Sequence, residues 1–166
     1  MPESDQGVHA KRYVVVPRVL VFLFDDRKRV LLIKGAEDKR LWAGLHNGIG
    51  GHVEPGEDVF EAAARELLEE TGLIAELRMC GQIMIDVSDE RGVCLFVFRG
   101  EFTKGNLIPS SEGDLVWINL QELETMPVVE DLRELLPRVA AHQVSDGLII
   151  GKYQYDGDGS LQKFFR

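Results

Sequence analysis

Between Gly51 and Leu73 the chain reads GHVEPGEDVFEAAARELLEETGL, and this stretch concentrates side chains able to do chemistry. On a helical wheel at about 100° per residue, Glu66, Glu69 and Glu70 crowd an arc of about 100°. Phe60, Ala64, Leu67, Leu68 and Thr71 cluster on the opposite side, with small Ala62 and Ala63 beside the acids. An acidic face opposite an apolar face is what any amphipathic surface helix shows. Glu66 and Glu70, however, form a like-charge i,i+4 pair with no basic partner at helical spacing. Such pairs cost about a few tenths of a kcal/mol each. A divalent cation removes that repulsion and uses the oxygens. Arg65 stands i,i+4 from Glu69 and is placed to orient one carboxylate without blocking its metal-facing oxygen.

These side chains need elements to hold them. Asp58–Thr71 has the pattern of a helix, with Asp58 and Glu61 spaced as a capping box and Gly72 where a left-handed residue ends it. Tyr13–Phe24 is rich in β-branched and aromatic residues and predicts a strand with an edge or bend at Pro17. Asp25-Asp26-Arg27-Lys28 is a polar turn, and Val30–Ile33 the returning strand of a hairpin. Residues 35–56 predict a long glycine-bearing loop, and long loops in small domains are usually functional. Leu73–Val87, Val93–Phe102 and Leu115–Ile118 predict strands, and Glu130–Ala141 a second helix. Leu148–Tyr155 and Ser160–Phe165 flank Asp156-Gly157-Asp158-Gly159 and predict a C-terminal β-hairpin. That turn lacks the later ligands of a calcium loop. The result is an α/β (α+β) fold, a mixed central sheet packed between helices. Residues 1–12 are expected to form a flexible leader and 13–166 a single domain.

Composition sets bounds on function. The 166 residues suit one core, not two. Apolar residues at 45% and charged residues at 28% exclude disorder throughout, and no apolar run approaches the roughly 18–20 residues of a spanning helix. A net charge of −9 argues against binding a nucleic-acid polymer, which needs a basic face. A chain this acidic needs cations to handle phosphates. Cys80 and Cys94 lie far apart in no metal-type spacing and read as half-buried thiols of a reducing compartment. The polar, acidic N-terminus lacks the features of a signal peptide, so a cytoplasmic protein is expected.

Gly51, Glu57, Arg65, Glu66, Leu67, Glu69, Glu70, Gly72 and Leu73 satisfy G-x5-E-x7-R-E-U-x-E-E-x-G-U at every position, where U is a bulky aliphatic residue. Seven of these positions demand one named residue. At about 6% usage each, chance gives this on the order of 10⁻⁹ per window. This is the Nudix box, and the chain resembles the Nudix hydrolases. The resemblance implies an α/β/α sandwich from about residue 13 to 141, with the terminal hairpin outside the motif. It implies hydrolysis of a nucleoside diphosphate linked to a further group, with Mg²⁺ or Mn²⁺ bridging carboxylates to phosphate oxygens. By the resemblance Glu66, Glu69 and Glu70 bind metal, with the Gly50 carbonyl as a backbone ligand. Glu57 supports the metal site from behind, and Arg65 orients the carboxylates. The general base is Glu66 or a carboxylate outside the box, for which Glu112, in the loop before Trp117, is the candidate. Gly51 permits close approach of the chain to phosphate. Lys34 and His52 are candidate phosphate contacts, each with a bland alternative as a solvated lysine and a turn histidine.

The lead-in Asn47-Gly48-Ile49-Gly50-Gly51 resembles the MutT-like oxidised-purine triphosphatases, which act on 8-oxo-dGTP. In that branch the asparagine reads the base; the alternative for Asn47 is a turn residue before Gly48. The branch also uses paired acids after a Trp-containing strand. Trp117 followed by Glu130-Asp131 matches that arrangement, and Trp117 reads as core or pocket wall. The competing reading makes Asp131, with Glu134, the N-cap of the second helix. The expected function is a cation-dependent pyrophosphohydrolase that converts a nucleoside triphosphate to the monophosphate and pyrophosphate. The alternatives are an ADP-ribose or nucleoside diphosphate sugar pyrophosphatase, and a sensor without catalysis. The expected partner is a small nucleotide, not a membrane, with the protein a monomer or homodimer.

Overall fold

A computed structural model describes residues 2–7, 12–36, 42–102, 105–110 and 112–166. Part of the expected leader and residues 37–41 of the expected loop lie outside the described residues. Among the described residues eight strands form one mixed sheet: β1 (Val14–Phe24), β2 (Val30–Gly35), β3 (His46–Asn47), β4 (Leu77–Asp86), β5 (Arg91–Glu101), β6 (Gly113–Ile118), β7 (Ile149–Tyr155) and β8 (Leu161–Phe165). Two helices, α1 (Val59–Thr71) and α2 (Leu132–Ala141), cover its faces. The spatial order is β3-β2-β1-β5-β4-β7-β8, with β6 along the other edge of β2.

From Val19 onward β1 is buried on both faces and reads as a continuous apolar run, as a central strand must. Its side chains alternate. Val19, Val21 and Leu23 pack toward α1 with Leu67 and Phe98, while Leu20, Phe22 and Phe24 pack toward α2 with Leu135, Leu136 and Val139. Helix, sheet and helix form the expected α/β/α sandwich. The terminal hairpin is part of it rather than an appendage. β7 runs parallel to β4 from Gly81 to Asp86, and Tyr153 is buried in the α2-side core. No helix among the described residues is long and apolar enough to cross a membrane.

One irregularity makes the site. β6 pairs with all of β2, so the opposite edge of β2 is shared. Val30 and Leu31 face Phe24 and Leu23 of β1, whereas Ile33 and Lys34 face Asn47 and His46 of β3. The expected β1–β2 hairpin is therefore only two residue pairs deep. Below it β1 needs other partners. The segment after β3 supplies them: Ile49 and Val21 exchange bonds of 2.7 and 3.1 Å, Val19 N–H donates to Gly51 O at 2.9 Å, and Val53 N–H to Pro17 O at 3.2 Å. Much of the expected loop is thus pinned into the split between β1 and β2.

Helix α1 begins and ends as expected. Asp58 Oδ1 accepts from the N–H groups of Phe60 and Glu61, and Glu61 Oε2 accepts from Asp58 N–H. Gly72 adopts φ 73° and donates to Leu68 O at 2.8 Å. The face it buries differs from the wheel expectation. Ala62, Ala63, Leu67 and Thr71 are buried, whereas Phe60 and Leu68 remain 49% and 47% exposed. The alanines carry only a methyl group, too short to hold the helix off the sheet, so they and not the large residues set the contact. Glu66 and Glu70 lie between them on the wheel and therefore point inward. Helix α2 starts at Leu132, and Asp131 makes no side-chain cap bond.

Candidate active site

The split in the sheet brings the loop 48–53 under the inward carboxylates of α1. Two glycines make this approach possible. A Cβ on Gly50 would overlap the carbonyl oxygen of Val19, and one on Gly51 would overlap the Glu66 carboxylate. Arg65 ties loop to helix. Its Nη2 donates to Glu57 Oε1 at 2.7 Å and to His52 O at 3.0 Å, its Nε to Glu57 Oε2 at 3.0 Å, and its Nη1 to Glu66 Oε1 at 2.8 Å and Glu69 Oε2 at 3.2 Å. The fork on Glu57 is the strong bidentate geometry. Arg65, through these bonds, holds Glu57 below the usual carboxylate range, and Glu57 first among the acids pushes the guanidinium up. The side chains of Glu57 and Glu66 are only 16% and 13% exposed, against 59% for Glu69.

Beside this cluster opens a cavity of about 490 Å³. Leu20, Ile85, Val93 and Leu95 give it an apolar floor. Its polar groups are Arg18, Asn47, Glu70, Asp131 and Tyr155, with Gly48, Gly50 and Trp42 also in the wall. Backbone pairing places Asp131 near Asn47. His46 N–H donates to Pro127 O at 2.9 Å and Val129 N–H to His46 O at 3.1 Å, so the chain entering α2 lies along β3. Burial pushes the Asp131 carboxyl above its ordinary value, offset in part by the Tyr153 hydroxyl. Asn47 is held by its own turn, Oδ1 accepting from Gly48 N–H at 2.8 Å.

Residues 15–139 match the NUDIX domain family. The chain belongs to that family. An oxidized purine nucleoside triphosphate hydrolase of Danio rerio is 35% identical over 97 residues, covering 57% of this chain and 61% of that protein. An isopentenyl-diphosphate Delta-isomerase of Halorhodospira halophila is 40% identical over 70 residues, covering 42% of this chain and 40% of that one. The chain thus spans at most about three fifths of these relatives. A mutator MutT protein from Bacillus halodurans shares the fold at a TM-score of 0.76, with 23% identity over 91% of this chain and 97% of its own. These relatives carry different named activities.

Nudix proteins of the hydrolase type generally require divalent cations. The residues here fit such an ion. Glu66, Glu69, Glu70 and the Gly50 carbonyl offer only oxygen, the donor that hard cations take, and Gly51 leaves room for the Glu66 carboxylate. Among the described residues no three acids, histidines or cysteines are already gathered into a cage. Arg65 instead spreads Glu57, Glu66 and Glu69 about its own fork, while Glu70 lines the cavity.

The remaining expected residues divide. Gly50, Asn47, Glu70 and Asp131 meet at the cavity. Lys34 is half-buried on β2, opposite His46 and Asp114. The His52 side chain is exposed, and its carbonyl rather than its ring serves Arg65. Glu112 precedes β6, its carbonyl accepting from Ala36 N–H at 3.3 Å and its N–H bonded to Ser110 Oγ at 3.0 Å, outside the cavity wall. Trp117 does not reach the cavity either. It packs at 5.4 Å on Phe102 in the α1-side core, because its register with Leu31 points it to that face. Trp42 is the tryptophan in the wall. Glu130 is exposed, lies 3.7 Å from Lys163 and does not line the cavity beside Asp131. Arg18 and Tyr155 were not expected; their types and strand positions carry no motif.

Proposed function

We propose that this Nudix chain is a divalent-cation-dependent pyrophosphohydrolase. It cleaves a nucleoside triphosphate, foremost an oxidised purine such as 8-oxo-dGTP, to the monophosphate and pyrophosphate. One observation carries the reading: Asn47 and Asp131 line the same cavity as Glu70 and Gly50. Groups able to read a base and groups able to reach a phosphate-bound ion therefore serve one ligand. A neutral Asp131, favoured by burial, offers both a donor and an acceptor, as does the Asn47 amide. Together they suit the mixed donor and acceptor edge of a purine. The apolar floor suits its ring.

The divalent ion, Mg²⁺ or Mn²⁺, would be held by Glu66, Glu69, Glu70 and the Gly50 carbonyl, and would offset charge on the pyrophosphate. Arg65 fixes Glu66 and Glu69, and Glu57 fixes Arg65. Glu66 takes the proton of the attacking water, with Glu112 the candidate from outside the box. The protein works on a free nucleotide in the cytoplasm, where the buried, unbridged Cys80 and Cys94 stay reduced. The test is a pyrophosphate-release panel with Mg²⁺ and Mn²⁺ over nucleoside triphosphates, 8-oxo-dGTP, ADP-ribose and nucleoside diphosphate sugars. Preferential turnover of ADP-ribose or a sugar nucleotide, with 8-oxo-dGTP untouched, refutes the reading.

A further inference from the structure

Among the described residues lining the cavity, Arg18 alone is basic. It lies inside β1, between Leu95 of β5 and the backbone of His52. Its Nε is buried and makes no hydrogen bond, and among the described residues Arg18 forms no ion pair. A buried guanidinium N–H without an acceptor is costly, and an aliphatic residue would serve the strand without that cost. A ligand in the cavity can supply that acceptor.

Position decides which part of the ligand that is. By strand alternation Arg18 shares the face of Leu20, Phe22 and Phe24, the α2 side, where the apolar floor and Asp131 lie. Glu70 comes from α1, across the sheet. Arg18 therefore stands with the groups around the ring rather than with the carboxylates that serve the pyrophosphate. A guanidinium donates and never accepts. It suits a carbonyl oxygen on a base and opposes an exocyclic amino group, which would set donor against donor. We infer that Arg18 is a specificity-determining residue that takes the 6-carbonyl oxygen of a purine, so that the pocket selects 6-oxopurine over 6-aminopurine nucleotides. This rests on the nucleotide reading above.

Inosine and adenosine nucleotides differ at the 6-position and in the N1 hydrogen that accompanies the 6-oxo group, and share the other ring substituents and the phosphates. The test compares wild type, Arg18→Met and Arg18→Lys. Two readouts are used: kcat/KM for dITP and dATP, and calorimetric binding of IMP and AMP without catalysis. Wild type should favour the inosine member in both. Arg18→Met should reduce that preference about tenfold or more, the discrimination typical of a lost arginine–base contact. Arg18→Lys, which keeps charge but loses the fork, should fall between. Equal losses on both bases place Arg18 on the phosphate or sugar and overturn the inference. So does an unchanged ratio, or a wild type that turns over both equally, which leaves the hydrolase reading standing. Conversely, a wild type that binds IMP over AMP but hydrolyses neither of these triphosphates nor any nucleotide of the panel above ends the hydrolase reading and keeps Arg18. Melting curves of both variants separate loss of contact from loss of fold, and Arg18→Lys retains the test if Arg18→Met melts early.

Discussion

The adjacent glycines Gly50 and Gly51 should respond to the same substitution differently, Gly51 chiefly in activity and Gly50 chiefly in stability. In Gly51→Ala the new Cβ would overlap Glu66 Oε1 and lie 2.5 Å from its Cδ and 2.8 Å from Oε2. Ordinary Cβ contacts begin at 3.4 Å, so the carboxylate must retreat by about 1 Å. The atoms in the way are the end of a flexible side chain. Moving it off its rotamer costs about 0.5–1.5 kcal/mol, which for a chain of this length is a fall in Tm of about 2–6 °C. Activity should suffer more, because a misplacement of about 1 Å at a reacting centre costs on the order of 10²-fold. In Gly50→Ala the obstacle is the Val19 carbonyl, with its carbon at 3.0 Å, and that backbone belongs to the central strand. It cannot turn aside, so stability itself should drop, by about 1–3 kcal/mol or more.

Pyrophosphate release and thermal melting, measured on both variants, read the contrast. A double variant sharpens it. If the Gly51→Ala methyl acts through Glu66, then adding it to Glu66→Gln should cost little more rate, because the two changes strike one group. A Gly51→Ala protein with wild-type turnover, or additive losses in the double variant, would refute the claim that Glu66 is seated by the missing Cβ.

Three further outcomes follow from the geometry. Glu70→Gln removes one anionic oxygen at nearly constant volume, so turnover should fall by about 10² or more while Tm moves by no more than about 3 °C; retained activity would remove Glu70 from the metal site. Asn47→Ala should change the ranking of nucleotides more than the rate on a poor generic substrate, and a uniform loss across the panel would reject base reading. Asp131 is raised by burial above its ordinary value of 3.8, so the folded protein keeps a proton that the unfolded chain releases. Its stabilising contribution is complete below that value and is lost as pH rises through the folded pKa. Asp131→Asn should therefore gain Tm relative to wild type as pH rises above about 4, and parallel Tm–pH curves would count against it.

The parts of the site that were legible in the sequence are those whose chemistry fixes a spacing. The box, the Asp58–Glu61 cap and the Gly72 stop each depend on residues a few positions apart on one helix. The orientation of that helix was not legible. A wheel places Phe60 and Leu68 inside because they are large and apolar, and Glu66 outside because it is charged. The fold inverts this because Ala62 and Ala63 allow close approach and Arg65 compensates the carboxylates drawn in with them. Strand register hid the tryptophans in the same way. Trp117 and Trp42 are equal candidates by type, and only the pairing of Trp117 with Leu31 assigns it to the core. Arg18 sits in a run of valines and leucines with no recurring partner, so nothing local marks it.

The same register explains why Asn47 and Asp131 line one cavity with Gly50 and Glu70. Because β6 takes the whole of one edge of β2, β1 and β3 must divide the other, and β1 is left with unpaired backbone below Leu23. Unpaired backbone in the middle of a sheet has to find partners. Ile49, Gly51 and Val53 provide them, and in doing so they carry Gly50 and Gly51 under α1 and hold Asn47 at the top of the split. The ligand site is then a consequence of strand pairing, with glycine required where the loop passes the Val19 carbonyl and the Glu66 carboxylate. Substrate choice can change through side chains on the cavity wall, such as Arg18, Asn47 and Asp131, without disturbing that pairing.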